Sequence, residues 1–229
     1  LEIVDSPVRI GQTAAHIESE SGKIYNDVIL ILSPDGSLLR RIPMLEALVA
    51  SGWNGHLIRA NDLRVVSEDP LHLNDVQRLG AALPGSTAFR PDDLLVSFRN
   101  INTLGILDLD TQRFKWLSTG ASVGQHSPRL YQHGVLVLDN LGGQAELGGT
   151  QLVHIAIDSG NPRTLFPRND VPMPDRCRTI NSGHLDVHSD QKRALLAVTH
   201  EGAVWEIDLQ TGETLWEYIY VDSATATRG

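Results

Sequence analysis

Three histidines that open strand-like segments are the side chains in this sequence most able to do chemistry. His72, His126 and His184 each begin a short segment with the alternating pattern of a strand. A neutral imidazole can act as a nucleophile or transfer a proton near neutral pH. A single histidine in such a position more often bonds to the backbone of a turn. Because all three occupy the same place in successive segments, we expect their imidazoles to converge on one site.

Polar and basic residues accompany these histidines. Asn74 and Asp186 each lie two residues after a histidine, where an amide or carboxylate can bond one ring nitrogen and fix the tautomer. Arg99 follows a strand-like segment, and Arg129 lies three residues after His126. Arginine donates paired hydrogen bonds to anions, so this set fits a sulfate or phosphate ester. The candidate catalytic residues are His184, His126 and His72, and the candidate substrate-binding residues are Arg129, Arg99, Asn74 and Asp186.

The elements that carry the histidines recur with a fixed period. Asp108, Asp158 and Asp208 are separated by equal intervals of 50 residues. Each full unit contains four strand-sized segments, and turn-forming residues such as Asp, Asn and Gly connect several of them. A repeat of about 40–50 residues made of four strands is typical of a β-propeller blade. The sequence therefore predicts an all-β fold, a β-propeller of four-stranded antiparallel blades, with about four repeats visible.

Aromatic residues share the period of the aspartates. Trp116, Phe166 and Trp216 each lie eight residues after one of them. Large aromatic side chains at equivalent positions of a repeat are typical of a packed core. We therefore expect the tryptophans, including Trp205, to lie mostly in the cores of the blades.

The histidine segments have a defined place in the predicted blade. Each one precedes the other three strands of its unit, so we expect it to form the first strand, nearest the axis of the propeller. The stretch Met44–Ala50 predicts one short helix. No linker-like stretch divides the chain, so residues 1–229 are predicted to form a single β-propeller domain. Because the sequence begins with Leu1, we expect it to be a processed form or part of a larger propeller.

Composition and charge argue against several classes of protein. The chain has 229 residues, 41% of them hydrophobic, and a net charge of −9. A nucleic-acid surface needs a basic patch, so this acidic balance argues against such a partner. No apolar run approaches the ~20 residues of a membrane helix, and Cys177, the only cysteine, excludes an internal disulfide. The phosphate-loop, H-E-x-x-H, C-x-x-C and G-x-S-x-G motifs are also absent.

Segments around the histidines carry a family resemblance. They are His72–Val76, the run Leu94–Thr103, Gln125–Ser127 and Val135–Asn140, together with the closing text Gly202–Glu217. With them, the chain from Pro70 to Tyr218 resembles the bacterial arylsulfotransferase (arylsulfate sulfotransferase) family. The resemblance implies a six-bladed propeller whose active site lies at the central channel. It also implies a periplasmic or secreted protein that needs no cofactor.

The resemblance further implies a reaction. In that family a sulfuryl group passes from a phenolic sulfate ester to a phenol without a nucleotide donor, through a transiently sulfated histidine. By order along the chain, His184 corresponds to the nucleophile. His72 and His126 correspond to histidines that hold the sulfate. The partners expected from this resemblance are therefore two small molecules, an aryl sulfate and a phenol.

One missing residue leaves other functions open. The family's arginine would follow the text Asp139-Asn140, but residues 141–146 contain no arginine. Arg129 and Arg99 are the candidates to substitute for it. One alternative is a non-catalytic propeller that binds a ligand or a protein partner. Another is a metal site in which the three imidazoles bind zinc or copper.

Overall fold

The computed structural model describes eight parts of the chain. They are residues 1–5, 8–9, 16–17, 21–56, 68–80, 88–143, 149–171 and 177–220. The chain divides into two compact units. Unit 1 is Leu1–Ala82 with Thr87–Thr119, and unit 2 is Leu83–Ser86 with Gly120–Gly229. The prediction of a single domain over residues 1–229 stays a prediction.

Unit 1 begins with paired strands and a helix. The strands are β1 (Glu2–Asp5), β2 (Val8–Arg9), β3 (His16–Ile17), β4 (Lys23–Asn26), β5 (Val28–Leu32) and β6 (Leu38–Pro43), paired antiparallel as β1 with β4, β2 with β3, and β5 with β6. Helix α1 (Met44–Ala50) lies where the sequence predicts it. It ends before Gly52, whose φ of 82° costs glycine little. None of the helices in the described parts of the chain has the length and apolarity that a membrane span requires.

The later strands of unit 1 form a four-stranded antiparallel sheet. They are β7 (Leu73–Arg78), β8 (Leu94–Phe98), β9 (Thr103–Asp108) and β10 (Arg113–Thr119), in chain order across the sheet. The central strands β8 and β9 are buried along their whole length. Gly105 in β9 permits this packing, because a Cβ there would lie 2.7 Å from Leu117 and 2.8 Å from Phe114.

Unit 2 contains two further four-stranded antiparallel sheets. The strands are β11 (His126–Tyr131), β12 (Gly134–Asp139), β13 (Gln151–Ala156) and β14 (Pro162–Phe166) in one sheet, and β15 (His184–Val187), β16 (Arg193–Val198), β17 (Ala203–Asp208) and β18 (Thr214–Ile219) in the other. A 3-10 turn at Thr199–Glu201 joins β16 to β17. Tyr131, Phe166 and Trp205 are buried in the core of this unit.

The three four-stranded sheets have the form of propeller blades. Each is antiparallel, with its strands in chain order. This confirms the predicted fold class, an all-β propeller of four-stranded antiparallel blades. In every blade the strand that begins at or just after the predicted histidine is the first strand and an edge of its sheet. The faint first repeat appears in the described residues as the two-stranded pair of β5 and β6.

The repeated aspartates hold the turn before the last strand of a blade. Asp108 Oδ1 accepts the backbone N–H groups of the second and third residues after it, at 2.9 and 3.0 Å. Asp208 Oδ1 accepts the equivalent pair at 2.7 and 2.9 Å. Bonds of this kind favour a turn over a continued strand. Asp158 departs from the pattern and accepts the N–H of Ser159 at 2.8 Å.

The tryptophans divide between core and surface. Trp205 is fully buried, as predicted. Trp216 is 52% exposed and stacks on Tyr218, so the prediction that it lies in the core is wrong. Trp216 belongs to β18, an edge strand of its sheet, where an equivalent place in the repeat does not ensure a covering neighbour.

Candidate functional site

Two of the three candidate histidines lie in unit 2, on strands that contact each other. His126 and His184 begin β11 and β15, the first strands of their blades. The Ser127 hydroxyl lies 3.2 Å from Nδ1 of His184. Arg129, also on β11, places Nη2 at 3.4 Å from Nε2 of His184. One imidazole therefore has a hydroxyl at one ring nitrogen and a guanidinium at the other.

The proton position on His184 follows from these neighbours. A guanidinium group only donates hydrogen bonds, so the nitrogen that it contacts must carry the lone pair. The contact favours the neutral tautomer that has its lone pair on Nε2 of His184. Nδ1 carries the proton and donates it to Oγ of Ser127. In this tautomer the nitrogen that carries the lone pair faces the guanidinium group of Arg129.

Arg129 is positioned by contacts of its own. Its side chain is 17% exposed, and Nη1 donates to the carbonyl oxygen of Pro128 at 2.9 Å. Nε lies 4.0 Å from Oδ1 of Asp186, which is 68% exposed, so water screens this weak pair. Ser127, rather than Asp186, makes the hydrogen bond to His184 Nδ1. Arg129 thus places a positive charge beside His184.

His126 has a defined tautomer as well. Its Nδ1 lies 2.8 Å from Oδ1 of Asn140 and 3.1 Å from the carbonyl oxygen of Gly124. Both neighbours are acceptors, so Nδ1 carries a proton, and in the neutral ring the lone pair is on Nε2. Asn140 lies directly after β12 and is fully buried. An amide in the core therefore orients the second imidazole of this site.

His72 lies in unit 1, directly before β7. Its Nδ1 is 2.5 Å from Oδ2 of Asp69, and its backbone N–H donates to Oδ1 of the same side chain at 3.1 Å. The carboxylate oxygen accepts the Nδ1 proton of His72. Asp69, rather than Asn74, makes the ring contact. The convergence of His72 with the two histidines of unit 2 stays a prediction.

The remaining candidates of unit 1 lie close to His72 in the chain fold. The backbone N–H of Arg99 donates to the carbonyl oxygen of His72 at 3.0 Å, and Nη1 donates to Oδ1 of Asn100 at 3.1 Å. Asn74 lies on β7 and is half-buried. Unit 1 therefore brings His72 and Arg99 together at one end of the first blade, with Asn74 two residues along the edge strand.

The sequence did not predict three residues whose side chains contact the candidate imidazoles: Ser127, Asn140 and Asp69. Asp69 precedes His72 by three residues, a spacing at which a turn brings a carboxylate to a ring nitrogen. Ser127 and Asn140 stand inside two segments of the family resemblance, Gln125–Ser127 and Val135–Asn140. Both are polar residues within these segments, but sequence spacing could not show their partners. The contact of Ser127 with His184, for example, joins residues 57 positions apart.

No metal centre is evident in the parts of the chain that the structure describes. Those parts contain no group of three or more histidine, cysteine, aspartate or glutamate side chains that could hold a metal ion. The hypothesis of a three-histidine metal site therefore gains no support from the described residues. The arrangement of His184 and Arg129 instead joins a lone pair to a donor-only cation, which suits an anionic ligand.

Comparison with known proteins adds a fold-level likeness. No protein-family model matches the chain, and no curated protein matches it. The β-propeller domain of Swd1 from Myceliophteria thermophila is 12% identical over 86% of this chain and 50% of its own, with a TM-score of 0.47. A protein of unknown function from Bacteroides caccae is 9% identical over 89% and 59%, with a TM-score of 0.48. BamB from Moraxella catarrhalis is 17% identical over 56% and 33%, with a TM-score of 0.33.

The compared structures are longer than this chain. The chain spans about half the length of the Swd1 β-propeller domain and a third of that of BamB. At these identities the likeness concerns the fold and not the chemistry of the site. The function proposed below therefore depends on the residues of the site and on the family resemblance of their segments.

Proposed function

We propose that this chain transfers a sulfuryl group from a phenolic sulfate ester to a phenol, with Nε2 of His184 as the nucleophile. The observation that carries the proposal is the 3.4 Å contact between that nitrogen and Nη2 of Arg129. It places a lone pair and a cation side by side, as attack on an anionic ester requires. The resemblance to the arylsulfotransferase family supplies the substrate class.

In the first step, the guanidinium group of Arg129 moves from Nε2 of His184 to the sulfuryl oxygens, and the released lone pair of Nε2 attacks the sulfur of the ester. The bond from sulfur to the aryl oxygen breaks, and its electron pair leaves with the phenolate. The product is a sulfo-histidine, with the sulfuryl group on Nε2 and the proton still on Nδ1, where Ser127 accepts it. Arg129 stabilises the negative sulfuryl oxygens throughout the step.

In the second step, the acceptor phenol attacks the same sulfur. Its oxygen forms the new ester bond, the bond from Nε2 to sulfur breaks, and the electron pair returns to His184. The phenolic proton passes to a base, and this proposal assigns that role to His126, whose strand β11 contacts the strand β15 of His184. His126 then returns the proton to the phenolate of the next donor.

Arg129 takes the role of the arginine that the family carries after the text Asp139-Asn140. It lies on β11 rather than after β12, but its guanidinium reaches His184 directly. The location that the resemblance implies, periplasmic or secreted, belongs to this proposal. So does the membership of His72 in the same site.

The experiment is an assay of the purified chain with 4-nitrophenyl sulfate as donor and phenol as acceptor. We expect release of 4-nitrophenolate that depends on phenol, and a mass increase of one SO3 group on the peptide that contains His184 when the acceptor is omitted. His184→Gln should abolish both signals. Arg129→Gln should lower kcat on the order of 10²–10³-fold, the cost of losing one donor to the reacting oxygens.

A matched control is His133→Gln, which alters an exposed histidine in the turn at the opposite end of β11. It should leave the rate unchanged. Absence of phenolate release by the wild-type chain would contradict the transferase. Measurable binding of inorganic sulfate without any turnover, lost in Arg129→Gln, would support a non-catalytic propeller that binds an anion.

A further inference from the structure

We infer that Asn140 is a positioning residue with two roles in this site, because one buried amide holds both the ring of His126 and the loop that leads into His184. The kinetic part of this inference rests on the proposed function. The structural part does not, because it concerns the proton on His126. No role for Asn140 follows from the resemblance, in which it served only to locate the expected arginine.

The orientation of the Asn140 amide is fixed by two carbonyl groups. Nδ2 donates to the carbonyl oxygens of Thr179 and Ser182, both at 2.7 Å. Carbonyl oxygens only accept hydrogen bonds, so the end of the amide that faces them must be the nitrogen. The other end, Oδ1, then faces Nδ1 of His126 at 2.8 Å. Asn140 is fully buried, so water does not compete for these bonds.

The consequence for His126 is a choice of tautomer. A neutral imidazole in water carries its proton on either nitrogen, and its neighbours decide which one. Asn140 Oδ1 and the carbonyl oxygen of Gly124 both require a proton on Nδ1. The basic nitrogen is then Nε2, on the side of the ring opposite Asn140. Without Asn140, one of the two acceptors that enforce this choice is lost.

The consequence for His184 is that the loop leading into its strand, β15, is held in place by Asn140. Ser182 lies two residues before His184, and Gly183 lies between them with a φ of 122°. A Cβ on Gly183 would lie 2.6 Å from Leu138 and 3.0 Å from the carbonyl oxygen of Ala197, so the chain passes here through a narrow space. The bonds from Asn140 to this loop therefore join the end of β12 to the start of β15.

Thr150 provides a second tie to the same loop through a side chain other than that of Asn140. Its Oγ1 accepts the backbone N–H of Thr179 at 2.9 Å and lies 3.3 Å from the carbonyl oxygen of that residue. Thr150 is buried like Asn140. Thr150→Val therefore loosens the loop while it leaves the acceptor of His126 in place. It is the matched control for a merely structural effect.

Three variants separate the two roles of Asn140. Asn140→Ser removes both the acceptor for His126 and the donors to the loop. Asn140→Asp keeps an acceptor of the same shape but loses the two donors to Thr179 and Ser182. Thr150→Val keeps the Asn140 side chain and all its bonds, and loses only the 3.4 Å contact of Oγ1 with the Asn140 carbonyl oxygen besides the bonds to Thr179. Because a buried carboxylate opposite two carbonyls destabilises the fold, Asn140→Asp is expected to be the least stable of the three.

The first measurement is the ring ¹⁵N spectrum of His126, recorded at alkaline pH where the imidazoles are neutral. We expect the proton on Nδ1 in the wild type, in Thr150→Val and in Asn140→Asp. In Asn140→Ser we expect a substantial population with the proton on Nε2. If folded Asn140→Ser keeps His126 with its proton on Nδ1, the inference is overturned. If Asn140→Ser does not fold, the proton on Nε2 in Asn140→Asp or in the wild type overturns it.

The second measurement is the pH profile of phenolate release. Loss of a residue that orients a catalytic ring lowers activity by about 10–100-fold in metal sites, and we expect a loss of that order in kcat for Asn140→Ser. We expect the pH dependence of phenolate release to be shifted in Asn140→Ser and unchanged in Thr150→Val. An equal loss in both variants would contradict a specific role. An inactive wild type with the expected ¹⁵N spectrum would refute the transferase and leave the positioning role of Asn140 intact.

Discussion

Removal of the ammonium group of Lys115 tests the ion-pair network of the four-stranded sheet in unit 1, β7 to β10. Nζ of Lys115 lies 3.0 and 2.8 Å from the two oxygens of Asp93 and 2.9 Å from Oδ2 of Asp108. The Asp93 side chain is fully buried, and the Lys115 side chain is 21% exposed. Lys115→Met keeps most of the aliphatic stem but leaves the two carboxylates with Arg90 in place of the closer Lys115 ammonium. We expect this variant to fold with a much lower free energy of unfolding.

The magnitude follows from burial and from the contacts that remain. Removing one partner of a buried ion pair costs about 3–5 kcal/mol. Arg90 partly compensates, because its Nη2 lies 2.8 Å from Oδ1 of Asp108 and its backbone N–H donates to Asp93 at 2.8 Å. We therefore expect the lower end of that range, about 3 kcal/mol at neutral pH.

The loss should depend on pH. Burial alone would raise the pKa of Asp108, but the backbone N–H of Thr111, the Lys115 ammonium and the N–H of Asp110 outweigh it and lower the pKa to about 2 from 3.8. Because folding lowers this pKa, ionised Asp108 stabilises the fold at pH values above 3.8. The stabilisation is lost as the pH falls through about 2. One pKa unit is 1.36 kcal/mol, so the contribution of Asp108 is about 2.5 kcal/mol. Below about pH 2, the difference in free energy of unfolding between the wild type and Lys115→Met should therefore be smaller than at neutral pH.

The assay is urea unfolding followed by tryptophan fluorescence, since Trp53 and Trp116 lie in unit 1. The transition should be recorded at neutral pH and through the acid range. Lys192→Met, which changes an exposed lysine of unit 2, is the control and should alter the free energy of unfolding by less than about 0.5 kcal/mol. A loss below about 1 kcal/mol in Lys115→Met, or a difference that stays constant in acid, would refute this reasoning.

Two further predictions concern unit 2. Asp208→Ala should lower the free energy of unfolding by about 1–2 kcal/mol because it removes two bonds to backbone N–H groups. Asp158 lacks that pair of bonds, so Asp158→Ala should cost half as much or less in the same urea assay. Equal costs would contradict the conclusion that Asp208 stabilises the turn through this pair. Cys177 is buried, and burial with the charge of Glu201 raises the pKa of its thiol to about 12, so an aromatic disulfide reagent should label it slowly in the native chain and fast in urea. Rapid labelling of the native chain at mildly alkaline pH would show that the thiol is accessible.

The fold class could be predicted because the signals for strands and turns are local. An aspartate that accepts the N–H groups two and three residues later makes a turn wherever it stands, as Asp108 and Asp208 show. Alternating apolar residues specify a half-buried strand for the same reason. Burial is less local. Trp205 and Trp216 have similar settings in the sequence, but the first is fully buried and the second is 52% exposed on an edge strand.

The candidate site was predictable in its positions and not in its contacts. His126 and His184 could be placed at the starts of first strands, since each precedes the other strands of its repeat. The partner of each ring could not be read from spacing. Ser127 meets His184 across 57 residues, and Asn140 meets the loop at Thr179 across 39.

The sequence by itself determined which residue types recur, where turns interrupt the strands, and where in each repeat an imidazole stands. Only the tertiary structure decided which nitrogen of each imidazole carries the proton and which cation lies beside it. The physical reason is that a turn needs partners within a few residues, whereas a tautomer depends on donors and acceptors from different strands. Packing brings those strands together, as when Arg129 of β11 lies against His184 of β15.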